Sequence, residues 1–481
     1  MKHTILNHIL LGFCVLAMVS CEGLLEENPK SVAVENFYNT PEDVESAVNA
    51  IYTPLRSIRA EQIVILDAHS DWGYGRGSRA QYNDFAGLNT SNANAAGARW
   101  DSFYKAIRNA NLVIANAPNG DAISQEEVDF YVAEARFLRA LTYFDLVRNW
   151  GGVPLRTEEN MQQGDLPRST VDEVYALIVE DLRFAEQYLD ESPRQVGRPT
   201  VYAAKTLLAD VYLNLGDYEM ALQKSGEVIR SGNFSLVPVT SVKDIQTNIF
   251  GADLLTSTEE IFYFKYSRDT DQGNFILWIL NHPDTGHFNF GGAYAHYGDA
   301  ANPFYTEWDD ADLRKGLWDQ VDFGLGTTTL VSSKYVEPAA VSRNDGGNDL
   351  PVYRYAEVLL IFAEAEARVS GGPTSAAIDA LNQVHRRAYG LDSGMESEVD
   401  LKFSSGESAR FLEAVLQERG YEFQFEGKRW LDLKRTGKAQ EMIMKNKGLA
   451  IAEAHYLWPI PISEINFNGA INPETDQNPG Y

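Results

Sequence analysis

Cysteine is nearly absent from this 481-residue chain: Cys14 and Cys21 are the only two, and both stand in the first 21 residues. A disulfide framework for the folded body is thereby excluded. Positive charge is scarce as well, with 41 Lys and Arg against 68 Asp and Glu and a formal charge of -27. A nonspecific grip on nucleic acid, or electrostatic docking to anionic lipid, would need clustered cations that the chain does not have. After the first twenty residues no run of 18 consecutive apolar residues occurs, so no later segment reads as a membrane span. HExxH, GxSxG and Walker patterns are missing too, and no motif implies a cofactor. Chance carboxylate pairs are abundant among 68 acids, so a glycosidase-like pair carries no information.

What is present is a globular composition, 44% hydrophobic and 11% aromatic, long enough to bury a substantial core. Residues 1–20 combine Lys2, an apolar run from Ile9 to Val19 and small Ser20, the order of a secretory signal peptide. Met18-Val19-Ser20-Cys21 resembles a bacterial lipobox, which makes Cys21 the expected lipidation site. Acyl chains contribute about 0.8 kcal/mol per buried methylene, so several on one cysteine would anchor the body to a membrane that it does not span.

Residues 21–40 read as a lipidated tether, closed by Thr40-Pro41-Glu42-Asp43, an N-cap followed by proline and acids in a first helical turn. A single body is expected over 41–481. It comprises a helical part at 41–231, a loop-rich insertion at 232–350 and a C-terminal helical part at 351–481. The first helix should run to about Arg59, and 61–97 should be a loop with one short strand at Ile63–Leu66. Capping boxes at Ser124–Glu127 and Thr170–Glu173 open two more helices. In the first of these, Phe130, Ala133, Phe137, Ala140, Leu141, Phe144 and Val147 form an apolar stripe. Small and large residues alternate around Leu215-Gly-Asp-Tyr218 as in a tetratricopeptide helix pair, and 355–387 suggests another. The insertion is rich in Gly, Thr and aromatics, and should hide a small sheet, with 260–268 a strand by composition. The expected fold class is mainly α, a tetratricopeptide-like helix-pair scaffold whose insertion contains short strands.

Together these stretches resemble the SusD/RagB family of outer-membrane nutrient-binding lipoproteins. The resemblance rests on Ala133–Phe144 running into Trp150-Gly-Gly-Val-Pro-Leu155, on Leu208–Tyr218, and on Pro351–Leu360 with Ala363-Glu-Ala365. Later come Glu418–Arg435, Pro459-Ile-Pro461, Asn472-Pro473 and Gln477-Asn-Pro-Gly-Tyr481. It implies a helical body outside the outer membrane, partnered by a SusC-type TonB-dependent transporter that it covers as a lid. The cargo implied is oligosaccharide or, in some members, peptide. A glycan-degrading enzyme and a purely structural docking protein are the rival readings.

Glu418, Arg419, Glu422, Glu426 and Arg429 fall at spacings of three, four and seven on one predicted helix, where opposite charges brace a scaffold. Asp312, Arg314 and Lys334 resemble family positions that brace the insertion. A sugar site needs flat apolar faces beside planar polar groups. Two irregular regions offer them, and by the resemblance family ligand residues come from the same regions. The first supplies Asp67, Trp72, Tyr74, Arg76, Tyr82 and Asn83, the second Trp278, Phe290, Tyr294 and Tyr297. Glycines adjoin Trp72 and Tyr74, and Gly291-Gly292 stand just before Tyr294, which leaves each as open to ligand contact as to packing. On the ligand reading, Trp72→Ala and Tyr294→Ala weaken binding and leave melting unchanged. His282 and His287 have no standard zinc spacing, and Asn344–Asp349 lacks the order of an EF-hand, so no metal is expected.

Overall fold

The computed structural model describes residues 37–83, 85, 97–269, 271–287, 292 and 294–481. The signal peptide, Cys21, most of the tether and Phe290 lie outside the described residues. The first helix, α1 (Pro41–Ala68), starts where Thr40 and Asp43 form a capping box, with Pro41 in the first turn. It does not stop near Arg59. Ile63, Val64, Ile65 and Leu66, expected as a strand, are its last turns and are all buried. A helix covered on every side has no apolar period to display, so a short apolar run there looks the same as a strand.

Helices α2 (Gly97–Asn116), α3 (Gln125–Trp150) and α4 (Val171–Tyr188) follow, then the pair α5 (Val201–Leu215) and α6 (Tyr218–Ser231). Each packs on the next, as α1 does on α2. Ser124 and Glu127 cap α3 reciprocally, and Thr170 and Glu173 do the same for α4. The expected stripe on α3 is one part of a helix buried on nearly all sides. Its polar residues are therefore paired: Arg139 donates to both oxygens of Asp181, at 2.7 and 2.8 Å, and to Asn111 at 2.6 Å. Between α5 and α6 the chain turns on Gly216 at φ 76°, a conformation that costs glycine little, and Asp217 caps α6.

The helical series resumes with α7 (Tyr355–Val369), which packs on α6, and α8 (Ser375–Ala388), which packs on α7. It continues with α9 (Ser408–Glu422), α10 (Arg429–Arg435) and α11 (Ala439–Lys447), and a short helix at Ile462–Phe467 follows. Tetratricopeptide-like pairing of this kind places the protein in the mainly α class.

Among the described residues, five short strands lie between α6 and α7: β2 (Glu260–Phe264), β3 (His296–Asp299), β4 (Trp318–Gln320), β5 (Thr329–Ser332) and β6 (Leu350–Arg354). A sixth, β1 (Tyr74–Gly75), comes from the segment after α1. The order β1-β3-β5-β4 is antiparallel throughout, and β2 pairs with β6. Through β1 the early segment becomes the edge of the insertion's own sheet. Beneath that sheet a second apolar core gathers Ile63, Trp72, Phe304, Trp318, Tyr335 and Phe425, distinct from the larger core among the helices.

The charged signature near the C-terminus is buried scaffold, but it does not lie on one helix. After Glu422 the chain leaves α9 and turns through Phe425 at φ 52° and Gly427 at φ 76° before α10. Insertion side chains take its backbone groups instead: Lys334 donates to the Gln424 carbonyl at 2.7 Å and Tyr335 to that of Phe425 at 3.0 Å. Around the turn Glu422 binds Arg314 at 2.8 Å, and also Arg354 and Arg387. Glu426 binds Lys334 at 2.5 Å and Arg354 at 2.8 Å, Glu418 binds Arg314 at 2.8 Å, and Arg429 grips Asp71 at 2.8 and 2.9 Å. The insertion is thus fastened to α9 and the turn after it, and the early segment to α10, by ion pairs excluded from water.

Candidate functional site

Pairing of β1 with β3 sets Tyr74 opposite Tyr297 and Gly75 opposite His296. Directly opposed residues on an antiparallel pair share a face, and the two phenol rings stack with centroids 5.5 Å apart. The Arg76 amide donates to the Ala295 carbonyl at 2.8 Å, and its Nε donates to the Tyr294 carbonyl at 2.9 Å. These bonds lay the guanidinium over the Tyr294 ring at 3.9 Å, with Phe323 at 5.3 Å. Tyr294 itself holds φ 37°, a backbone conformation that its carbonyl's bond to Arg76 helps to maintain. His282 completes the group, 4.3 Å from the Tyr294 ring and stacked on Phe323 at 5.5 Å.

Tyr74, Arg76, Tyr294, Tyr297 and Phe323 are each half-buried, so the cluster is held in place yet reaches the surface. Burial raises the phenols of Tyr74 and Tyr297, so both stay neutral and can exchange hydrogen bonds with hydroxyls. Asn302 donates to the Tyr74 hydroxyl at 3.1 Å, leaving that hydroxyl's proton for another acceptor. His287 faces Asp319 of β4 at 2.9 Å at the edge of the group. Aromatic surface, a planar guanidinium, imidazoles and a carboxylate are the parts that recognise sugar C–H faces and vicinal hydroxyls.

Four of the ten expected ligand residues therefore meet here: Tyr74, Arg76, Tyr294 and Tyr297. Phe290 lies outside the described residues. Trp278, on a short helix at Ile276–Leu280, is half-buried and carries the Arg343 guanidinium 5.7 Å from its ring. The other four are corrections. Trp72 is 3% exposed, packed between Phe304, Trp318 and Phe425 in the core beneath the sheet. Tyr82 is buried against the edge of the His69 ring. Asn83 closes a turn by bonding both backbone groups of Gly75, its amide donating to the carbonyl at 2.6 Å.

Asp67 is fully buried at the end of α1. Burial pushes its carboxyl well above the usual range, and the N–H groups of Gly427 and Phe425 and the Lys334 ammonium offset this only in part. Its sign is therefore opposite to that of an ion-paired acid. Folding costs nothing at this position below about pH 3.9, and costs progressively more as the unfolded chain ionises above it. Asp67→Asn should stabilise the protein by roughly 1–2 kcal/mol at pH 7 and by nothing near pH 3.5. Urea midpoints at the two pH values check this, and a variant less stable at pH 7 would show the carboxylate to be ionised.

Phe323 and His282 complete the cluster beyond those ten. Phe323 had one sequence signal, the Gly324-Leu-Gly326 that follows it, with both glycines at positive φ. Among the described residues no group of three His, Cys, Asp or Glu side chains stands close enough to hold a metal ion. His282 instead accepts from the Asp284 amide at 3.1 Å. In 344–349, Asp349 is held by Lys265 at 2.8 Å and by the Tyr266 amide at 2.8 Å.

A stack of paired helices carrying a half-exposed aromatic cluster on an inserted sheet defines a binding scaffold. Two family descriptions match most of the chain between them: "SusD family" over residues 292–481 and "Starch-binding associating with outer membrane" over residues 25–213. The protein is a member of the SusD-like family. "SusD-like protein P2" of Formosa agariphila is 28% identical over 521 residues, spanning 97% of this chain and 98% of the relative. A SusD superfamily protein from Parabacteroides distasonis superposes with a TM-score of 0.76 at 25% identity, covering 92% of this chain and 99% of the other. "Surface glycan-binding protein A" from Bacteroides thetaiotaomicron gives a TM-score of 0.76 at 22% identity, covering 92% of this chain and all of that one. No helix among the described residues is long and apolar enough to cross a membrane.

Proposed function

We propose that this protein captures an extracellular oligosaccharide on the Tyr74–Arg76–Tyr294–Tyr297–Phe323 cluster, without cleaving it, and passes it to a SusC-type TonB-dependent transporter. Lipid on Cys21 holds the body at the outer membrane, facing outward. The observation that carries the reading is the half-exposed aromatic cluster built where the early segment joins the insertion's sheet. Family membership supports it, as do a family described as starch-binding and outer-membrane-associated and a structural neighbour named for glycan binding.

Tyr294→Ala and Phe323→Ala should each weaken glycan binding about tenfold, or roughly 1.4 kcal/mol, with little change in melting temperature. Calorimetry beside a thermal melt reads both quantities, and undiminished affinity in both variants would remove the cluster from the site. Cys21→Ala should move the protein from the membrane to the soluble fraction. Retention in the membrane pellet would exclude lipid as the tether.

A further inference from the structure

Between α1 and β2, apart from the aromatic cluster, lies a cavity of about 560 Å³, within the range of small-ligand sites. Its wall includes Asn49, Tyr52, Thr53 and Arg56 of α1. Counting helix rise, Arg56 is roughly 20 Å back along α1 from the turn that leads to Tyr74. Although the chain carries 68 acids, no carboxylate side chain lines this cavity among the described residues, whereas Arg56, Arg198 and Lys265 do. Two of these cations are already neutralised from behind. Arg198 pairs with Glu134 at 2.6 Å and with Glu45 at 3.6 Å, and Lys265 with Glu260 at 2.7 Å and Asp349 at 2.8 Å.

Arg56 has no carboxylate within ion-pair distance among the described residues. It touches Gln272, donating to its backbone carbonyl at 3.1 Å and to its side chain at a long 3.4 Å. Its guanidinium lies over the Tyr266 ring at 4.9 Å, and its Nε, buried in the wall, has no acceptor. Arg198 lies over Tyr52 at 5.1 Å in the same way. The wall therefore combines one planar cation that no carboxylate touches, although its charge reaches Asp349, with two tyrosines and an amide. A fork of this kind binds a carboxylate or sulfate through paired N–H bonds, and an anion there would supply the direct ion pair that Arg56 lacks.

We infer that this cavity is a second ligand site, taking an acidic saccharide whose uronate or sulfate group pairs with Arg56 while the sugar lies against Tyr52 and Tyr266. That a sugar carries the anion rests on the glycan-capture reading; the charge of the cavity does not.

The test is calorimetry of the full chain in detergent with two matched pairs of tetrasaccharides: a glucuronate-containing one with its carboxyl-reduced form, and a sulfated galactose one with its desulfated form. At least one acidic member should bind about tenfold more tightly than its neutral partner, and the margin should shrink on going from about 20 to about 500 mM NaCl. The two pairs distinguish carboxylate from sulfate. Arg56→Gln should abolish the margin and Arg56→Lys should keep part of it. Val196→Glu, at an exposed rim position where folding is indifferent, should reduce the margin at an unchanged melting temperature. Tyr294→Ala should leave it intact. Equal binding of acidic and neutral forms in both pairs would overturn the inference, as would a margin that survives Arg56→Gln and Val196→Glu, or one that Tyr294→Ala removes. Neutral glycans that still bind in those cases would leave the capture reading standing.

Discussion

Glu422→Gln is expected to destabilise the protein by roughly 3–5 kcal/mol, because it removes the one carboxylate shared by three buried guanidinium groups. Burial alone would raise the Glu422 carboxyl, yet Arg387, Arg354 and Arg314 outweigh it and hold the group well below the usual range. Glutamine keeps the shape and one acceptor oxygen but takes the charge out of three buried bonds at once and turns an NH2 donor toward guanidinium groups that can only donate, while Arg314 keeps Asp312 and Glu418, Arg354 keeps Glu259 and Glu426, and Arg387 keeps Glu259. The same network sets the response to acid. Glu418 and Glu426 are also lowered, and Asp432 is brought down to about 2 by Arg419 and Arg435 against its burial. A depressed carboxylate contributes its stability above the unfolded value, near pH 4, and loses it as pH falls through the folded one. The wild type should therefore hold its urea midpoint from pH 7 to about 4.5 and lose it steeply below 4. The variant should start lower and fall less. A variant within about 1 kcal/mol of wild type at pH 7 would mean that the network is not the clamp between insertion and helices.

Trp72→Ala should cost roughly 3–5 kcal/mol, the usual range for emptying the space of a large aromatic in a packed core. This reverses the expectation from sequence, on which the same change would weaken binding and spare the fold. Phe304, Trp318 and Phe425 surround the ring, and two of these lie in the insertion and one in the turn after α9. The cavity would loosen the seam on which the insertion sits, so glycan binding would fall as a consequence of lost folding. Tyr294→Ala, at the half-exposed cluster, should show the opposite pattern of weak binding and unchanged melting. A Trp72→Ala protein with wild-type melting temperature would place that ring outside the core.

Trp72 and Tyr74 show where sequence reading stops. Both are aromatic, both have a neighbouring glycine, and they stand two residues apart. Their fates diverge because residues more than two hundred positions away cover one and pair with the other. Local signals were legible where the chemistry was local: the capping boxes of Thr40, Ser124 and Thr170, the Gly216 turn, and the two regions that meet as β1 and β3. The last turns of α1 were read as loop and strand because burial on all sides erases helical period. The single helix expected through Glu418 and Arg429 breaks at Phe423–Lys428 because insertion side chains supply hydrogen bonds that no local rule anticipates. Phe323 joined the site only through the pairing of β3, β4 and β5, which brings residue 323 beside residue 294.

The central claim, capture of a glycan without chemistry on the aromatic cluster, is tested most directly by titrating the full chain in detergent with a panel of neutral and acidic oligosaccharides and analysing the recovered ligand. The expected result is saturable binding of at least one glycan, its chain length unchanged after prolonged incubation, with affinity lost in a Tyr294→Ala, Phe323→Ala double variant that melts like wild type. Cleaved glycan, or binding that the double variant retains in full, would contradict it.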